Sequence, residues 1–233
     1  MQSRRILEIS VESVEAAVAA ERGGAQRIEL CSDARVGGTT PGRGLLRAVR
    51  ERVRLPIFSM VRPRGGNFIY AEAEFEAMRG DVETAQKTGM DGIVLGVLLA
   101  NGEVDIERTK ELVELARPLP LTFHRAFDEC ADLRKSLEDV IETGAARLLT
   151  SGGKRTAPEA LGVLSELVRI AGERIVVMPG SGIHAGNIRE VMKKTGAREF
   201  HAGLSSVVSK PADEPGAFED EVRKLAVALR DCD

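Results

Sequence analysis

GGAQRIELC (23–31), TGMDGIVLG (88–96), TGAARLLTSG (143–152) and TGAREFHAG (195–203) share one grammar, a glycine stop followed by a short apolar run. Each follows an amphipathic stretch with helical spacing, so each reads as a helix, a glycine C-cap and then a buried strand. Four more short apolar runs lie between them: ILEISV (6–11), LPIFSMV (55–61), LPLTFH (119–124) and RIVVMPG (174–180). Helical stretches separate all of these runs, at 13–22, 43–53, 72–87, 105–116, 132–143, 158–171, 185–195 and 216–230. Strands that alternate with helices pair in parallel, because parallel neighbours need a crossover connection. Eight such units in 233 residues predict one α/β domain over 1–233, closed as a (β/α)8 TIM barrel. An open doubly wound sheet would want a GxGxxG after its first strand, and ESVEAAV (12–18) stands there instead.

The composition narrows the class further. Hydrophobic residues make up 43% and charged residues 30%, enough to bury a core and too apolar for disorder. No apolar run approaches about 18 residues, so no membrane span is expected. The start, MQSRRILEISVES, breaks its apolar stretch at Glu8 and Ser10, and no secretory signal is read there. The net charge is −3 with no basic stripe, which argues against a nucleic-acid partner held through phosphates. Trp is absent and aromatics total 3%, too few for single-strand stacking platforms. Cys31, Cys130 and Cys232 form no CxxC and cannot all pair, which suits a reducing, cytoplasmic setting.

A barrel places its chemistry at the C-terminal ends of the strands and in the loops after them. Those ends carry Glu8 and Ser10, Glu29 and Cys31, Met60 and Arg62, Gly96, His124 and Arg125, Thr150 and Ser151, Met178 to Gly182, and His201. Glu8 and Glu29 fall in buried strands that adjoin if the barrel closes in chain order. A buried carboxylate is costly alone, so each is an acid/base or hard-cation group, or pairs with Arg62, Arg125 or each other's neighbours in a structural polar layer. His124 and His201 fall on strand ends, whereas His184 begins a helix near the surface. The two strand-end histidines with Glu8 and Glu29 could bind a divalent metal in the barrel mouth, but no HxH or HExxH spacing supports it. His124 therefore joins Glu8 and Glu29 as an acid/base candidate, or is a structural histidine.

The glycine-rich strand ends TSGGK (150–154), PGSG (179–182) and HAG (201–203) offer backbone N–H groups to an anion, at the rim where barrels often hold phosphate. The candidates there are Ser151, Gly152, Gly153, Gly180, Ser181, Gly182 and His201. VRPRGGNF (61–68) adds Arg62 and Arg64, and Arg125 follows strand five; guanidinium forks suit phosphate or carboxylate. The alternative is that these glycines only make tight turns. A small anionic, even phosphorylated, metabolite is the expected occupant. No lysine lies within a strand, which disfavours Schiff-base chemistry. GxSxG, P-loop and zinc-finger spacings are absent, and no organic cofactor is expected. Cys31 reads as a small hydrophobe or as a soft thiolate for Cu(I), with Met60 or Met178 as a second sulfur.

Together, ESVEAAV (12–18), GGAQRIELCSD (23–33), GGTTPG (37–42), VRPRGGNFIY (61–70), TFHRAFD (122–128), LLTSGG (148–153), IVVMPGSGI (175–183) and EFHAG (199–203) resemble the CutC copper homeostasis family over about residues 5–205. The resemblance implies a (β/α)8 barrel, a cytoplasmic homo-oligomer and a role in copper handling. It also implies Cu(I) binding by two cysteines at the ends of the first two strands. The second of these matches Cys31; the first falls on Ser10, whose hydroxyl is a poor Cu(I) ligand, so the affinity expected is weak. PGSG stands where PGGG is usual in the family. Two functions follow as expectations: Cu(I) binding or trafficking, or lyase- or isomerase-like acid/base chemistry on a small anion.

Overall fold

The computed structural model describes residues 5–203, Val208 and 215–230. Cys232 lies outside them. The strands are β1 (Ile6–Val11), β2 (Arg27–Leu30), β3 (Ile57–Met60), β4 (Gly92–Leu95), β5 (Leu121–Phe123), β6 (Arg147–Thr150), β7 (Val176–Pro179) and β8 (Glu199–Ala202). Between and after them run α1 (Val14–Gly23), α2 (Arg43–Arg50), α3 (Glu72–Lys87), α4 (Ile106–Ala116), α5 (Leu133–Glu142), α6 (Leu161–Ala171), α7 (Ile188–Thr195) and α8 (Pro215–Arg230). All ladders are parallel, in the order β7-β6-β5-β4-β3-β2-β1-β8. β8 returns beside β7, where a Cβ on Gly180 would stand 3.2 Å from that of His201. The fold is the expected (β/α)8 barrel.

The glycine stops do what their position predicts. Gly24, Gly89, Gly144 and Gly196 all take positive φ, between 72° and 94°, the left-handed conformation that ends a helix and admits glycine most cheaply. The stretch at 158–171 departs from one helix: Ala157–Ala160 is a 3-10 turn, and α6 starts only at Leu161. Pro158 stands in the first turn of that segment, where its missing N–H goes unneeded. No helix among the described residues is long and apolar enough to cross a membrane.

Strand alternation divides the core in two. Leu7, Ile9, Ile28, Leu30, Ile93, Leu95, Leu148 and Phe200 face outward and pack under the helices. Inside the barrel Cys31, Phe58, Met60 and Val94 form a small apolar cluster, and Met178 packs against Arg27. The lumen also holds charge: Glu8, Arg27, Glu29, Glu199 and His201 are all buried.

Candidate active site

The floor of the lumen is an ion network on an aromatic plate. Arg27 and Arg147 lie over the Phe58 ring, 4.8 and 5.3 Å from its centroid. Gly92 makes room beneath that ring, since a Cβ there would come within 2.6 Å of it. Arg27 Nη2 donates to Glu199 Oε2 at 2.6 Å, and Arg147 Nε donates to the same oxygen at 2.8 Å. Arg27 Nε bonds Glu8 Oε2. Each buried charge therefore meets its opposite, the condition for tolerating it away from water.

Above this floor stands a carboxylate–histidine–carboxylate stack. The register sets Glu8 opposite both Arg27 and His201, and Ser10 opposite Glu29. Burial alone would raise the Glu8 carboxyl, but Arg27 and His201 outweigh it and hold it at about 2. An ionised carboxylate only accepts, so His201 Nδ1 carries the proton and donates to Glu8 Oε1 at 2.8 Å. His201 Nε2 then points to Glu29 Oε2 at 3.8 Å. Burial works against charge on His201, yet Glu29 and Glu8 together raise its pKa. Burial, opposed by His201 and reinforced by Glu8, raises that of Glu29. Glu29 is 4% exposed, and its Oε1 has no hydrogen-bond partner among the described residues.

Cys31 sits one step further up, 1% exposed, its Sγ 3.5 Å from Ser10 Oγ. Burial, followed by the charge of Glu29, pushes its thiol up to about 12, so it is protonated at neutral pH and a poor nucleophile. Met60 converges on it: a Cβ on Gly38 would lie 3.4 Å from Cys31 Sγ and 3.3 Å from Met60 Cε. Cys130 is buried away from this wall, against the Ala126 carbonyl.

His124 occupies another wall. It is 4% exposed, stacks edge-on with Phe68 at 4.8 Å, and fits only because Gly96 has no side chain: a Cβ would be 2.5 Å from Nδ1. Nδ1 accepts the Ala126 N–H at 3.2 Å, which leaves the ring proton on Nε2. Burial, then the charge of Arg62, lowers its pKa to about 3, so the ring is neutral at physiological pH. That Nε2 is buried without a partner among the described residues. His184, by contrast, is exposed, in the segment before α7.

Of the partners expected for the strand glutamates, Arg62 and Arg125 make no such pair, whereas Glu8 pairs with Arg27, the neighbour of Glu29, and with His201, because the register brings both opposite it. Arg62 Nη1 donates to the Val36 and Gly38 carbonyls and its Nη2 to that of Gly66, clamping the loops after β2 and β3. Arg64 is held by Glu74 at 2.5 Å and by the Ile69 carbonyl. Arg62 still lines the cleft, and its buried Nε has no hydrogen-bond partner among the described residues. The loop after β6 is also occupied from within. The Asp128 carboxylate accepts from the N–H groups of Ser151 and Gly153, from Ser151 Oγ at 2.9 Å and from Thr150 Oγ1 at 2.5 Å. Arg125 bonds Asp128 at 2.8 Å and Ser151 Oγ at 3.0 Å. The N–H groups of Ser151 and Gly153 expected to hold an anion thus hold the chain's own carboxylate, five residues past β5, while that of Gly152 goes to Thr150 Oγ1. After β7, Ser181 and Gly182 take φ of 73° and 69° and border the cleft, while Gly180 packs against Leu149 and His201.

The mouth is a cleft of about 1240 Å³ that Glu29, Cys31, Met60, His124, Ser181 and His201 all line. Arg27, Arg147, Glu199 and Asp128 escaped the sequence reading. For Arg27 the signal was present, since R-I-E-L-C alternates Arg27, Glu29 and Cys31 on one face. No comparable signal tied Asp128 to a loop two dozen residues on.

The model of the CutC family matches residues 5–206. A relative from Xylella fastidiosa, described as a family protein CutC, is 49% identical over 203 residues, covering 87% of this chain and 76% of its own. The human copper homeostasis protein cutC homolog is 47% identical over 201 residues, covering 86% and 74%. The solved structure of CutC from Streptococcus agalactiae superposes with a TM-score of 0.80 at 32% identity, covering 85% of this chain and 98% of that one. On its motifs, its barrel and these matches, the chain belongs to the CutC family.

Proposed function

We propose that the barrel mouth binds a small, oxygen-bearing polar molecule and carries acid–base chemistry on it. One observation carries this reading: His124 Nε2 and Glu29 Oε1 are both buried and unpartnered, and both residues line the same cleft. A buried polar atom left unpaired costs about 1–3 kcal/mol, a cost that a bound ligand would relieve. The donor is a neutral imidazole, suited to polarising an oxygen; the acid–base partner on the same cleft is Glu29, beside His201. Screening small carboxylic and phosphorylated metabolites by ligand-observed NMR against the full chain tests this. The expected result is a binder whose affinity falls about 5- to 100-fold in both His124→Gln and Glu29→Gln. A binder indifferent to both substitutions would place the ligand elsewhere.

Copper handling, which the names of mammalian relatives carry, enters through Cys31. The convergence of its Sγ with Met60 around Gly38 supports a soft-cation site of one thiolate and one thioether. Ser10 supplies a hydroxyl where a second thiolate would strengthen the site, so the Cu(I) affinity proposed is weak. Competition of the reduced protein against a Cu(I) chelator, with Cys31→Ser as control, decides it. Loss of copper in the variant supports the reading, and equal retention removes Cys31 from it.

A further inference from the structure

We propose that Glu29 and His201 Nε2 form a site for a divalent first-row cation of the zinc type, oriented by Glu8 and open to the cleft. This deepens the ligand-site reading by naming what the mouth holds beside the ligand. One ligand atom from each of Glu8, Glu29 and His201 lies within 4.8 Å of the others. Their roles differ. Both Glu8 oxygens are engaged, Oε1 by His201 Nδ1 and Oε2 by Arg27, so Glu8 orients the ring. A histidine that donates Nδ1–H to a carboxylate presents Nε2 as a metal ligand with raised basicity, the usual outer-shell arrangement at such centres. Glu29 completes the pair: its Oε2 is 3.8 Å from Nε2, and its Oε1 is buried and unpartnered on the cleft wall. The positive charge of Arg27 is already met by Glu8 and Glu199, which leaves the Glu29 carboxylate to face the cation. Imidazole with carboxylate selects a borderline divalent ion over Cu(I). The cation lies between Glu29 Oε2 and His201 Nε2, 3.8 Å apart, and its open positions face water or a ligand oxygen.

The test is calorimetric titration of the reduced, chelator-treated full chain with zinc chloride, alongside X-ray absorption at the zinc edge. The expected result is one ion per chain with only nitrogen and oxygen scatterers, at about 2.0–2.2 Å. Glu29→Gln and His201→Gln should each weaken binding at least about tenfold, and Glu8→Gln about 10- to 100-fold. Cys130→Ser, away from the lumen, should leave it unchanged. Glu8→Gln breaks a buried pair and can cost folding, so the wild-type spectrum serves as an independent criterion. Absence of saturable binding, a sulfur scatterer near about 2.3 Å, or undiminished affinity in both Glu29→Gln and His201→Gln would overturn the site. Failure of zinc to bind, with a metabolite still dependent on His124, overturns the cation site and leaves the ligand reading intact. Zinc bound as described, with no metabolite answering to His124, supports the site and removes the ligand reading.

Discussion

Arg27 shows how a single side chain organises the lumen. It joins Glu8 and Glu199, lies over Phe58 and reaches Met178 Sδ at 3.3 Å. Arg27→Met keeps the bulk but takes the guanidinium from two buried carboxylates, leaving Glu8 to His201 and Glu199 to Arg147, so a loss of about 3–5 kcal/mol of unfolding free energy is expected in urea titration. Gly96 is the counterpart, a residue that matters for the space it leaves. Gly96→Ala would drive a Cβ into the His124 ring. The expected cost is about 1–3 kcal/mol, accompanied by a shift of the His124 ring-nitrogen resonances as the bond from Ala126 is disturbed. Unmoved resonances would show that the ring has another place to go.

Among the elements, the loop after β6 depends on the 3-10 turn after β5. Asp128, in Arg125–Glu129, takes the place of a bound anion, and bonds to a charged group are worth about 1.5–3 kcal/mol each before non-additivity. Asp128→Ala should loosen Ser151–Gly153, seen as faster amide exchange there than at β1 and β2. It should also turn the emptied nest into a weak phosphate site, detectable by ³¹P line broadening absent from the wild type. Equal exchange in both proteins would make the carboxylate incidental.

For the molecule as a whole, His124 couples stability to pH. Its pKa is lowered from 6.5 to about 3, so in this window the unfolded chain binds a proton that the folded chain refuses. Its contribution is complete above the unfolded value of 6.5 and is lost as pH falls toward 3, at up to about 1.4 kcal/mol per pH unit. Glu8 adds a slope of the same sign below 4.5, its own unfolded value, while the raised Glu29 opposes it above 4.5. His201, raised, acts above 6.5, where its stabilisation fades as pH rises through its folded value. The difference between the wild-type and His124→Gln denaturation curves isolates the ring: it should shrink steadily from pH 6.5 to 4. A constant difference would mean that the ring takes up its proton in the folded state.

The repeating units were legible in the chain because their signals are local. A glycine stop, an amphipathic turn and a buried run each depend on neighbours a few residues away, and Gly24, Gly89, Gly144 and Gly196 adopt the positive φ that their place demands. The polar strand ends Glu8, Glu29, His124 and His201 stood out for the same reason, as charge where apolar residues belong. Their partners were a different matter. Glu8 meets Arg27 and His201, 19 and 193 residues away, through register alone. Arg62 and Asp128, which look free in one dimension, are taken up by carbonyls and amides of distant loops. Periodicity is written in the order of residues, whereas charge compensation depends on which side chains a closed barrel brings within hydrogen-bonding distance, and only the tertiary structure decides that.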